Sequence, residues 1–150
     1  MPTSYNHAMK DVAKLPRVPN EIKSAFLEIW IQHKHLPLKV GKRRVMASAL
    51  KVLLPTSNAT KPMRLYRGTT AQERRRLYGF SWTQEPDIAR NFAKRFGFCD
   101  AGGAVVLETI APAKAIMLIR KKERYYDEGE VIVDPYNLRS IKCIERLTPD

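Results

Sequence analysis

The sequence predicts an α+β fold in which a helical segment precedes a strand-rich, antiparallel core, and three observations predict it. Up to about residue 60, apolar residues recur at helical spacing. A polar connector, TSNATKP (56–62), follows. Beyond it come six short runs of β-branched and aromatic residues punctuated by Gly, Pro and Asp. Strands that follow one another in this way, with one short helix among them, form a sheet with helices set apart from it. We read residues 1–150 as a single domain, with 1–60 as a helical N-terminal segment and 61–150 as a strand-rich core.

In the first segment Asn20, after Pro19, is the expected N-cap of a helix whose apolar face is Ile22, Ala25, Phe26, Ile29 and Trp30. A second helix is expected over Lys42 to Leu54, with Val45, Ala49, Val52 and Leu53 as its stripe and Pro55 as its stop. The expected strands are MRLYRG (63–68), YGFSWT (78–83), GAVVLETI (103–110), AKAIMLIR (113–120), GEVIVD (129–134) and RSIKCIERL (139–147). Between the second and third lies PDIARNFAKRF (86–96), a helix with Pro86 in its first turn and Gly97 at its end. Its apolar face is Ile88, Ala89, Phe92, Ala93 and Phe96.

Composition narrows the setting. An apolar fraction of 44% in 150 residues is enough for a packed core and argues against disorder. Cys99 and Cys143 form no CxxC pair, which favours a reducing compartment over a disulfide framework. No apolar run suits a signal-peptide core or a membrane span, so a soluble, cytoplasmic protein is expected, including one delivered into a target cell. The net charge is +12, of which residues 1–60 contribute +7. Such an excess favours encounter with polyanions or acidic surfaces and says nothing about fold. His33 and His35 are two apart and His7 stands alone, so no metal site is expected.

Three pieces carry chemistry: Leu65-Tyr66-Arg67-Gly68, Phe80-Ser81-Trp82-Thr83, and Tyr125-Tyr126-Asp127-Glu128-Gly129-Glu130 before Val131-Ile132-Val133. Singly, each has an ordinary reading: a surface arginine, strand hydroxyls, a solvated acidic turn. In this order they suit cleavage of an N-glycosidic bond to a cationic nicotinamide. That leaving group departs neutral and needs no strong acid, whereas the oxocarbenium-like ribose left behind needs a carboxylate. Glu130 can supply it. In extended backbone Glu128 lies on the same face and can take a proton from an incoming guanidinium. The planar fork of Arg67 matches a diphosphate, and Ser81 can hold Glu130 by a hydrogen bond.

On these residues the stretch from about 63 to 134 resembles the catalytic core of mono-ADP-ribosyltransferases of the arginine–serine–glutamate class. That class has an arginine on its first core strand, a Ser-x-Ser/Thr motif on the second and a Glu-x-Glu before a hydrophobic strand. Here they are Arg67, Ser81-Trp82-Thr83 and Glu128-Gly129-Glu130, and Ala89, Phe92 and Ala93 are similar to the helix that follows the second motif. The resemblance implies a split antiparallel sheet with an N-terminal helical layer, NAD as co-substrate, and no metal. It implies Glu130 as the catalytic glutamate, Glu128 as the residue that directs transfer to arginine, and Ser81 as the residue that orients Glu130. Arg67 would bind NAD phosphate or ribose, with Tyr66, Gly68, Ser81, Trp82 and Thr83 around the dinucleotide and Phe98 (or Phe96) stacking on nicotinamide. Tyr125 or Tyr126 would meet the target. Tryptophan in the middle of the Ser-x-Thr motif and the short core are departures.

The expected activity is transfer of ADP-ribose onto arginine of a target protein, one that is acidic or nucleic-acid-associated, by a toxin, an effector or a viral host-modifying enzyme. Two other readings stand beside it. One is an NAD glycohydrolase on the same fold. The other is a non-catalytic, basic nucleic-acid-binding module resting on the KVGKRR (39–44) and ERRR (73–76) runs. The sequence does not choose an oligomeric state.

Overall fold

In the computed structural model, residues 4–33, 36–55, 57, 59–71, 78–96, 102–120 and 129–148 are described. The chain divides into two compact units, Met1–Thr56 and Ser57–Asp150.

The first unit is helical, with α1 (Ser4–Ala13), α2 (Asn20–Gln32), α3 (Leu36–Val40) and α4 (Arg43–Leu53). The expected Asn20 cap is corrected. Pro19 is the N-cap, and its carbonyl accepts from the Ile22 and Lys23 amides at 3.0 and 3.1 Å. The proline ring fixes the φ that the entry to the helix needs, and Asn20 becomes the first helical residue. Of the expected α2 face only Phe26 and Trp30 are buried, their rings 6.4 Å apart, whereas Ile22, Ala25 and Ile29 are exposed. On α4 the buried stripe is Met46, Ala47, Ala49, Leu50 and Leu53, with Val45 and Val52 only partly covered. The face is turned so that Met46 and Leu50, neither of them branched at Cβ, take the fully enclosed positions rather than the stiff β-branched valines. Helix α1 packs against α3 and α4.

The second unit is an α+β layer pair. One six-stranded sheet contains β1 (Met63–Thr70), β2 (Ser81–Thr83), β3 (Ala104–Ala111), β4 (Ile116–Ile119), β5 (Glu130–Val133) and β6 (Ile141–Leu147). Its order is β4-β5-β2-β1-β3-β6, and every neighbouring pair is antiparallel. The expected strands are thus present with altered bounds: β1 runs two residues further, β3 is shifted by one, and β2, β4, β5 and β6 are shorter. Residues 78–80 precede β2 outside the strand, with the Phe80 carbonyl accepting from the Val133 amide of β5 at 2.8 Å, and Ala113–Ala115 form a 3-10 turn before β4. Helix α5 (Pro86–Phe96) has the expected bounds, with Pro86 at its first position, where a missing N–H costs nothing.

Alternation along the strands sorts the side chains onto two faces. On one face Leu65, Trp82, Val105, Leu107, Val131 and Val133 form a continuous core with Ala115, Ile116 and Leu138. On the other, α5 lies on β1 and β3, where its Ala89 and Ala93 meet Ala104 and Val106. Gly68 makes this approach possible: a β-carbon there would overlap the Ala89 carbonyl and stand 2.6 Å from the Ala93 nitrogen. At the far side of α5, Arg90 pairs with Glu145 of β6 at 2.8 Å and with Asp87 at 3.0 Å. The hydrogen bond and charge of Glu145 raise the guanidinium pKa above its ordinary value. No helix among the described residues is long and apolar enough to cross a membrane.

Candidate functional site

The site forms where the sheet is least continuous. Strand β1 pairs with β3 over eight residues, from Met63↔Ala111 to Thr70↔Ala104, but with β2 at one position only, Tyr66↔Thr83. Beyond that bridge a continued ladder would bring Gly68 opposite Ser81. Instead the Arg67 side chain spans the gap, and its Nη1 donates to the Ser81 carbonyl at 2.9 Å. Gly79 gives it room, since a β-carbon there would stand 2.5 Å from the Arg67 Cζ and 2.8 Å from Nη1. The guanidinium therefore lies against bare backbone, and any side chain at position 79 would displace it.

Ser81 and Thr83 project on the same face of β2, and Glu130 lies opposite Thr83 on β5. The diagonal from Ser81 to Glu130 is within reach across neighbouring strands, and the Ser81 hydroxyl donates to Glu130 Oε2. The other carboxylate oxygen, Oε1, accepts from Arg120 Nη1 at 3.2 Å. Arg120 follows β4, and its backbone N–H donates to the Glu130 carbonyl at 2.9 Å, so the ladder runs one residue past the strand and sets the two side chains abreast. Ser81 thus meets Arg67 of β1 through its carbonyl and, through its hydroxyl, a chain of side chains, Ser81–Glu130–Arg120, that crosses β2, β5 and the end of β4. The Glu130 side chain is 6% exposed and that of Arg120 is 12% exposed. A carboxylate so far from water needs partners, because an unpaired buried charge costs several kcal/mol.

The sequence-predicted residues separate. The Ser81 hydroxyl and Glu130 are brought together on the α5 face, and Arg67, which projects from the other face, meets the Ser81 carbonyl. Thr83 is buried beside Glu130, and its hydroxyl accepts from the Glu85 amide at 3.2 Å, just ahead of α5. Tyr66 is partly buried against Ala89 and Ala93. Trp82 points into the core on the face opposite Ser81 and Glu130, the face from which Arg67 also projects; it donates through Nε1 to the Gly79 carbonyl at 3.0 Å and meets Tyr78 edge to face. Gly68 faces the α5 backbone, so the close approach it permits is helix to strand. Phe98, Tyr125, Tyr126 and Glu128 lie outside the described residues, and of Phe96 only the helical backbone is described. The premise of extended backbone from Glu128 to Glu130 does not hold, because Gly129 has φ 64, a left-handed conformation that glycine adopts without strain, and β5 begins only at Glu130.

Sequence reasoning missed Arg120 and Gly79. The first was accessible in part: AKAIMLIR and GEVIVD are consecutive strands, and consecutive strands commonly pair, which sets the end of one beside the start of the other. Gly79 carried no such signal, since its role appears only once Arg67 is placed. Compared with known protein families, with characterised proteins and with solved structures, the chain finds no match.

Proposed function

We propose that the chain is an NAD-dependent mono-ADP-ribosyltransferase that acts on arginine. The observation that carries this reading is that three residues 63 positions apart at their extremes, Arg67, Ser81 and Glu130, are linked at Ser81, whose carbonyl accepts from Arg67 and whose hydroxyl donates to Glu130, at the interruption of the sheet. The short β1–β2 contact also supports the finer, split-sheet form of the fold. The residues suit the ligand. The Arg120 guanidinium beside the Glu130 carboxylate, with that of Arg67 at the Ser81 carbonyl, suits a molecule that carries a diphosphate and a ribose hydroxyl.

NAD supplies the bond to be broken, between ribose C1′ and a nicotinamide nitrogen that leaves neutral. Glu130 accepts a hydrogen bond from the ribose hydroxyl and stabilises the positive charge that develops on the sugar. Ser81 holds Oε2 so that the carboxylate keeps its orientation. Arg67 binds the phosphates. The acceptor guanidine bonds to C1′ and gives up one proton; Glu128, which lies outside the described residues, is proposed as its base on the Glu-x-Glu motif alone.

The test is peptide mass spectrometry of a cell lysate incubated with the protein and NAD, beside a Glu130→Ala control. An ADP-ribose adduct on arginine, absent in the control, is expected. NAD consumed without an adduct would replace transfer by hydrolysis, and NAD left intact would sink the reading. Glu128→Ala is expected to lose transfer while retaining measurable nicotinamide release; equal loss of both would remove its separate role.

A further inference from the structure

Arg120 belongs to none of the motifs that suggested the site, yet it holds one of the two oxygens of the proposed catalytic carboxylate. Resting on the NAD reading above, this pairing poses a conflict. The ribose hydroxyl needs a Glu130 oxygen, Oε2 is held by Ser81, and the side chain is 6% exposed, so a substrate cannot reach the carboxylate as it stands. The guanidinium also offsets the negative charge that the developing oxocarbenium requires. One of the partners has to move. Ser81 is on a paired strand with a short side chain, whereas Arg120 is one residue past the end of β4 on a long, jointed one. A guanidinium that is 12% exposed does not leave a carboxylate for nothing, because losing its counter-charge costs more than the pair returns. A dinucleotide brings a new anion with it.

We infer that Arg120 is a specificity-determining residue for diphosphate-bearing substrates: it rests on Glu130 in the free protein and transfers to the dinucleotide diphosphate on binding, which opens Oε1 to the ribose hydroxyl. The protein thus exposes its carboxylate only to a ligand that can take the arginine away. Nicotinamide riboside, which has the same glycosidic bond and no phosphate, has to displace Arg120 uncompensated.

The two ligands make the test. Binding of NAD and of nicotinamide riboside is measured by calorimetry on the wild type, Arg120→Gln and Arg120→Lys, with melting curves to establish that each variant folds. A hydrogen bond between charged groups contributes about 1.5–3 kcal/mol. Arg120→Gln should therefore weaken NAD binding by roughly 10- to 100-fold and leave riboside binding unchanged or tighter, while Arg120→Lys lies between for NAD. Equal weakening of both ligands, or a fall in kcat with NAD binding intact, would show that Arg120 only orients Glu130 and would overturn the inference. NAD binding unaffected in a folded Arg120→Gln would overturn it as well. A wild type that neither binds nor cleaves NAD is a different failure, that of the NAD reading itself, and takes the inference with it.

Discussion

Strand β1 has two neighbours and treats them differently. Toward β3 it pairs over eight residues, and its Gly68 is closed over by the backbone of α5; toward β2 it pairs once, and Arg67 reaches across the opening. Both sides depend on a glycine, but for opposite reasons. Gly68 lets backbone meet backbone, which is packing. Gly79 lets a guanidinium lie against backbone, which positions a charged group. The continuous side of β1 builds the fold, and the interrupted side frees a side chain and a carbonyl for other work. A ladder that satisfied every backbone group along β1 and β2 would leave Arg67 nothing to bridge.

The sharpest way to break this comparison is to fill each glycine in turn. Gly68→Ala should act on stability. Its β-carbon meets main-chain atoms of α5, which cannot rotate away, so strand and helix have to separate. Overpacking of this kind costs about 1–3 kcal/mol, a fall in melting temperature on the order of 10 °C for a domain of this size. A Gly68→Ala protein that melts with the wild type would mean that α5 is not seated on β1 as described.

Gly79→Ala should act on binding instead. The new β-carbon meets the tip of a flexible side chain, and Arg67 can swing aside. The expected stability change is within about 1 kcal/mol, the range of ordinary substitutions. Loss of the placed guanidinium should weaken NAD binding roughly tenfold, the lower end of what a charged hydrogen bond contributes. If calorimetry found the two glycine variants alike, in stability or in affinity, the division of β1 into a structural and a functional side would fail.

How much of this was legible beforehand follows the same line. The continuous side was legible because its signals are local: alternation along 63–68 and 103–110, and a helix over 86–96 opened by Pro86 with small residues at Ala89 and Ala93. Arg67, Ser81 and Glu130 were legible as an ordered set. Arg120 was not read, because it enters through register between strands, and register is a property of the assembled sheet. Trp82 was read into the site because its neighbours are there, but odd and even residues of a strand face opposite ways and one position decides between pocket and core. Gly129 shows the converse, a local alternation assumed through a residue whose φ of 64 ends it. In the helical unit, the rotation of α4 toward Met46 and Leu50 was hidden because Val45 and Val52 are as apolar as the residues that displaced them.

The finest test concerns Ser81, which belongs to both sides of the argument. Its carbonyl is taken by Arg67 and its hydroxyl by Glu130, so backbone and side chain serve different partners. Ser81→Ala removes the second and leaves the first. NAD binding through Arg67 should hold within about twofold. Glu130 keeps Arg120 on Oε1 but loses its orienting donor on Oε2. A hydrogen bond to a charged group is worth about 1.5 kcal/mol at the low end, so kcat for nicotinamide release should fall on the order of tenfold. A fall in NAD affinity with kcat intact would reverse the assignment, since the hydroxyl would then be serving the ligand directly and the orientation of Glu130 would rest on Arg120 alone among these donors. Both quantities come from one set of steady-state and calorimetric measurements on a variant that differs from the wild type by a single oxygen.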